Sequence, residues 1–130
     1  MNEDKTVEKI LKSAKIDTND VYFYYLRDRN RQIFGGAALK RHNGVWCRGI
    51  TLWASHLDKF SKCECKRQAT KRLVHAIHTR SDDYPINYLN SDRNVVCKFF
   101  DYYPFLATEY KSKYAANLTN QEQELVGLTD

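Results

Sequence analysis

Asn43-Gly44 separates two stretches of strand-forming residues, and this dipeptide constrains the fold more than any other feature of the chain. Both central residues of the tightest hairpin turn need positive φ, which Asn and Gly tolerate, so the pair predicts closely joined antiparallel strands. After it, residues 45–54 put Val45, Cys47, Gly49, Thr51 and Trp53 on one face, with Trp46 and Leu52 on the other. Before it, residues 32–40 form the partner strand, and Gly35-Gly36 inside that run predicts a bulge or a close backbone approach. Residues 21–26, V-Y-F-Y-Y-L, are aromatic and β-branched and supply a further strand, joined through the polar turn at 27–31. The three strands make an antiparallel meander.

Helical spacing flanks the meander. Val7, Ile10, Leu11 and Ala14 fall on one face of a short helix over residues 6–14. A long helix is expected over residues 59–79, with Ala69, Leu73, Ala76 and Ile77 as its apolar stripe. Lys62 shares a face with Lys66, and Arg67 shares one with Lys71. The break at residues 80–85 ends this helix. Val95, Val96, Phe99, Phe100 and Tyr103 suit another helix, interrupted at Pro104 and continued over 105–116. The expected class is therefore α+β: a three-stranded antiparallel meander packed on a long helix, with further C-terminal helices. Residues 1–116 form one domain, and residues 117–130 are read as a polar C-terminal tail.

Composition narrows the function. With 130 residues, 42% hydrophobic and 28% charged, the chain suits one globular domain. Charges scattered over residues 1–15 leave no apolar leader, and no run approaches a membrane span. A cytoplasmic setting is expected, with Cys47, Cys63, Cys65 and Cys97 as reduced thiols. The net charge of +5 and pI of about 9.0 favour anionic partners.

Enzyme signatures are absent. Cys63 and Cys65 are too close for a zinc pair on a helix. His75 and His78 share a helical face, but no third ligand is fixed. There is no Gly-rich phosphate loop, and neither Cys47 nor Cys97 has a recognisable base beside it. No catalysis, metal or cofactor is expected.

Two basic clusters remain, Arg27, Arg29 and Arg31 in the turn, and Lys62, Lys66, Arg67, Lys71 and Arg72 on the long helix. Guanidinium groups suit phosphate, and Phe60 or the tyrosines of the first strand suit stacking on a base.

Two families resemble this chain. The order helix, three strands, helix, with Ser61-Lys62-Cys63-Glu64-Cys65-Lys66 and Ala69 opening the second helix, resembles double-stranded-RNA-binding domains. Cys63 departs from that pattern, which has lysine there. Arg48-Gly49, then Asp58-Lys59-Phe60-Ser61-Lys62, then Ala69, Arg72, Ala76 and Ile77 resemble a pattern of small bacteriophage and prophage proteins. Cys65 stands where that pattern has Gly. The phage resemblance implies an anti-defence protein, similar to sponges that sequester cyclic ADP-ribose isomers of the Thoeris system.

The expected function is a non-catalytic, homo-oligomeric binder of a small phosphate-bearing nucleotide. Arg27, Arg29, Lys62, Lys66 and Arg72 would hold phosphate, Phe60 would stack on the base, and Asn90 and Arg93 would complete the rim. The alternatives are a basic RNA- or DNA-binding protein and an inhibitor that docks on a host protein.

Overall fold

The computed structural model describes residues 3–27, 31, 33–52, 62–80 and 112–128. Among the described residues the elements run in the order α1 (Glu3–Ser13), β1 (Val21–Arg27), β2 (Ile33–His42), β3 (Val45–Leu52), α2 (Lys62–Thr79) and α3 (Asn120–Leu125). The strands form one antiparallel sheet in the order β1-β2-β3, as an α+β meander requires. The helices expected over residues 95–111 lie outside the described residues.

The hairpin forms as its dipeptide dictates. His42 pairs with Val45, leaving Asn43 and Gly44 as the turn, at φ 51° and 81°. Between β1 and β2 the register slips between Leu26 and Arg27, opposite Gly35. A Cβ at Gly35 would overlap the Thr51 carbonyl, so the double glycine serves both the irregularity and the close approach.

Alternation along the strands divides the sheet into two dissimilar faces. On one face, Ala38 and Cys47 meet Leu11 and Ile16 from the first helical unit and Ala69, Leu73 and Ile77 from α2. Gly49 sits where a Cβ would overlap the backbone of Ala69 and Leu73, so α2 lies directly on β3. Burying each Leu or Ile here contributes roughly 1.5–3 kcal/mol. α1 stops at a left-handed Lys15 (φ 61°), with Ile16 N–H donating to the Leu11 carbonyl at 2.9 Å. Leu11 and Ile16 then pack in the same cluster, which is the hydrophobic contact that accompanies this helix stop.

On the other face, Tyr24, Leu26, Ala37, Leu39 and Ile50 are covered by Leu118 and Val126. Residues 117–128 are thus packed against the sheet, where the sequence predicted a polar tail. Leu118 and Val126 supply the apolar contacts and Glu122 is buried beside them, while Leu125 and Leu128 remain exposed. Residues 112–116, expected as the end of a helix, instead line the edge of β3. Lys113 exchanges backbone hydrogen bonds with Arg48, at 2.8 and 2.9 Å, and Ala116 N–H donates to the Trp46 carbonyl. Ser112 Oγ accepts from Ile50 N–H at 2.8 Å. This run supplies the outer edge of β3 with partners that an exposed strand would lack.

α3 has only six residues and is closed at both ends. Thr119 Oγ1 accepts from Glu122 N–H, and the Glu122 carboxylate accepts from Thr119 N–H, a reciprocal capping box. Beyond it, Gly127 adopts φ 80° and Leu128 N–H donates to the Gln123 carbonyl.

Candidate functional site

Three of the predicted ligand residues converge at one end of the sheet. β1 and α2 run in opposite directions along their contact, so Phe23 meets Lys66 and Tyr25 meets Lys62. Lys66 Nζ stands 5.3 Å from the Phe23 ring centre, and Lys62 Nζ stands 5.9 Å from that of Tyr25. The Arg27 guanidinium lies 5.8 Å from the Tyr25 ring centre. Phe23 and Tyr25 are themselves in edge contact at 5.1 Å. They alternate onto the helix side of the sheet, and one turn of helix separates the two lysines, so both elements repeat with matching spacing. Arg27 also donates from Nη1 to the Arg31 carbonyl at 3.0 Å, which fixes the guanidinium. Arg27 and Lys62 are solvent-exposed.

A groove of about 460 Å³ adjoins this patch. Its lining includes Val7, Glu8, Tyr22, Phe23, Lys66 and, from α3, Leu125. The volume lies in the range of small-ligand sites. The groove thus joins an ammonium group, an aromatic ring and a carboxylate within one concavity.

Arg72 is not part of this assembly. Its Nη1 donates to the Ile50 carbonyl at 3.0 Å, so it is bound to the β3 backbone. A helix advances about 100° per residue, and the ten steps from Lys62 carry Arg72 past the apolar stripe to the opposite flank. Counting basic residues placed it in the cluster, but helical phase separates it. Arg29, Phe60, Asn90 and Arg93 lie outside the described residues.

Arg67 and Lys71 line a second groove, with Thr6, Lys9, Ile10, Ser13 and Ala14 of the α1 side. Arg67 is engaged by Glu64 through two hydrogen bonds of 2.9 Å. That pairing, with Gln68 donating to the same carboxylate, lowers the Glu64 pKa to about 2. Burial raises the Cys47 thiol pKa, the reverse of what a thiolate nucleophile needs. His78 Nε2 lies 3.0 Å from the Ala14 carbonyl. Among the described residues no three His, Cys, Asp or Glu side chains are grouped to hold a metal. No helix among them is long and apolar enough to cross a membrane.

The sequence reading missed two things. It offered Phe60 or the tyrosines of the first strand for stacking and did not single out Phe23, although period-two spacing in β1 placed Phe23 on one face with Tyr25. It also missed the capping box, which Thr119-x-x-Glu122 spells out.

Among the described residues, several that carry the phage resemblance are packing residues. Gly49 fits beneath Ala69, Ala76 and Ile77 are buried, and Arg48 is fully enclosed. Comparison with protein-family models, with curated proteins and with solved structures returns no match for this chain.

Proposed function

We infer that this chain is a non-catalytic binder of a phosphate-bearing nucleotide, held where β1 meets the start of α2. The observation that carries this reading is the convergence of Arg27, Lys62 and Lys66 on the rings of Phe23 and Tyr25. Cations fixed beside aromatic faces offer phosphate two or three charge-assisted hydrogen bonds and leave the ring edges for a base. The adjoining groove has room for the sugar and base, and the Glu8 carboxylate on its wall is an acceptor for a sugar hydroxyl or base amine. With the phage resemblance, the reading extends to an anti-defence protein that sequesters a signalling nucleotide, such as a cyclic ADP-ribose isomer, in a homo-oligomer.

Calorimetry with cyclic ADP-ribose isomers and cyclic oligonucleotides tests it. One of these ligands gives saturable heat, and Lys62→Ala/Lys66→Ala weakens that binding by about tenfold or more, since charged hydrogen bonds contribute roughly 1.5–3 kcal/mol each. No heat with any of them ends the proposal.

A second reading, nucleic-acid binding, is favoured by the element order α-β-β-β-α with lysines opening the second helix. It requires a gel shift at low salt whose affinity falls steeply as salt is added. Absence of any shift at low salt removes it.

A further inference from the structure

α1 carries a wider apolar stripe than the core uses. Val7 and Leu11 pack into the helix-side cluster, whereas Ile10 belongs to neither cluster and is half-buried. α1 touches α2 near both ends of the longer helix, since Thr6 Oγ1 lies 3.7 Å from Cys63 Sγ and the Ala14 carbonyl meets His78. Side-by-side helices leave a valley between them, and here it measures about 690 Å³. Half-buried Thr6, Ile10 and Ala14, four residues apart, lie along it.

Both rims of the valley are cationic. Lys9 stands on the α1 side, with Arg67 and Lys71 on the α2 side. Lys9 and Lys71 are exposed and form no ion pair with the described residues, whereas Arg67 is matched to Glu64. Two exposed ammonium groups therefore face each other across an aliphatic strip, Lys9 with no ion pair among the described residues and Lys71 with only the distant field of Glu64. A bare phosphate chain would use the rims and leave the carbon surface wet. A helix with an apolar spine and acidic flanks would use both.

We propose that the valley between α1 and α2 docks an acidic, amphipathic helix of a partner protein, its apolar spine on Ile10 and Ala14 and its carboxylates on Lys9 and Lys71. Helix-in-groove recognition of this kind reads anchors at i, i+4 and i+7. This surface shares no lining residue with the groove beside the β1–α2 patch, so it stands or falls independently of the nucleotide reading.

The test uses fluorescence anisotropy on the full chain with three labelled helical peptides. They share one leucine spine and carry Glu, Gln or Lys on the flanks. The Glu peptide binds about tenfold tighter than the Gln peptide, and added salt narrows the gap. Charge reversal in Lys9→Glu/Lys71→Glu transfers the preference to the Lys peptide, while the response to nucleotides is unchanged. Ile10→Asp weakens all three peptides, with circular dichroism reporting an intact fold. Equal binding of the three, no binding of any, or an unaltered preference in the charge-reversed variant overturns the proposal. Displacement of the Glu peptide by duplex RNA overturns it too and assigns the valley to nucleic acid.

Discussion

Lys40 and Arg48 sit on neighbouring strands, and the side chains of both are entirely shielded from solvent, yet they are neutralised in different ways. Lys40 projects to the helix side of the sheet, where its Nζ donates to Asp17 Oδ1 at 2.9 Å and to the Asn19 carbonyl at 2.6 Å. The Asp17 side chain is 59% exposed, so water still solvates half of that pair. Arg48 projects to the opposite side and meets a Glu122 carboxylate with no exposure at all. Its Nε donates to Oε2 at 2.8 Å, its Nη2 donates to Oε1 and to the Asn117 carbonyl, and Tyr24 Oη donates to Oε2 at 2.6 Å. The lysine anchors a loop at the rim of the core. The arginine belongs to a closed network in which every partner depends on the others. A buried pair of this second kind adds little net stability over apolar substitutes, but breaking one side of it is severe.

The largest expected effect breaks the comparison on the arginine side. Glu122→Ala leaves a buried guanidinium without its carboxylate and lowers unfolding free energy by about 3–5 kcal/mol, read by denaturant titration. The combined variant Tyr24→Phe/Arg48→Met/Glu122→Leu removes the whole network and recovers all but about 1–2 kcal/mol, the remainder including the half of the capping box that Glu122 supplied. If it stays as unstable as Glu122→Ala, the network contributes positively and the comparison must be redrawn. Thr119→Ala isolates the capping contribution, at about 1 kcal/mol.

The lysine side responds to pH. Hydrogen bonding to Lys40 and to Asn19 N–H holds the Asp17 carboxyl below its ordinary value of 3.8. A depressed folded-state pKa contributes stability that is present above the unfolded value and is lost as pH falls through the folded one. Wild type therefore loses this contribution in the acid limb below about pH 4, and Asp17→Asn shows a flatter limb in urea melts repeated across that range. The smallest effect is at the exposed Glu64–Arg67 pair. Glu64→Gln changes stability by less than about 0.5 kcal/mol despite the strongly lowered carboxyl pKa, because solvent screens a surface pair.

How far the sequence could be read follows the same division. On the helix side the elements and the buried stripe followed from local rules. Asn43-Gly44 named its turn, alternation in residues 45–52 assigned the faces, and Ala69, Leu73, Ala76 and Ile77 marked the stripe that is buried. The opposite side was illegible because its chemistry joins residues far apart in sequence. Nothing near Arg48 indicates that its counter-charge is Glu122, and a polar tail composition concealed Leu118 and Val126 as covering residues. The candidate site was half legible. The residue types and the lysine spacing were apparent, but helical phase sets Arg72 on the other flank of α2, and the pairing of Lys66 with Phe23 needed the relative direction of two elements. Lys9 and Lys71, one on each helix, likewise became neighbours only through packing.

The carboxylate that serves Arg48 follows it by 74 residues. A ribosome adding about 5–20 residues per second exposes that arginine roughly 4–15 s before its counter-ion is made. Because a six-residue helix does not persist by itself, α3 gains its shape only when it lands on the waiting guanidinium. Completion of this fold therefore waits until Glu122 has been made, and a nascent chain halted short of it is a natural client for chaperones or proteases.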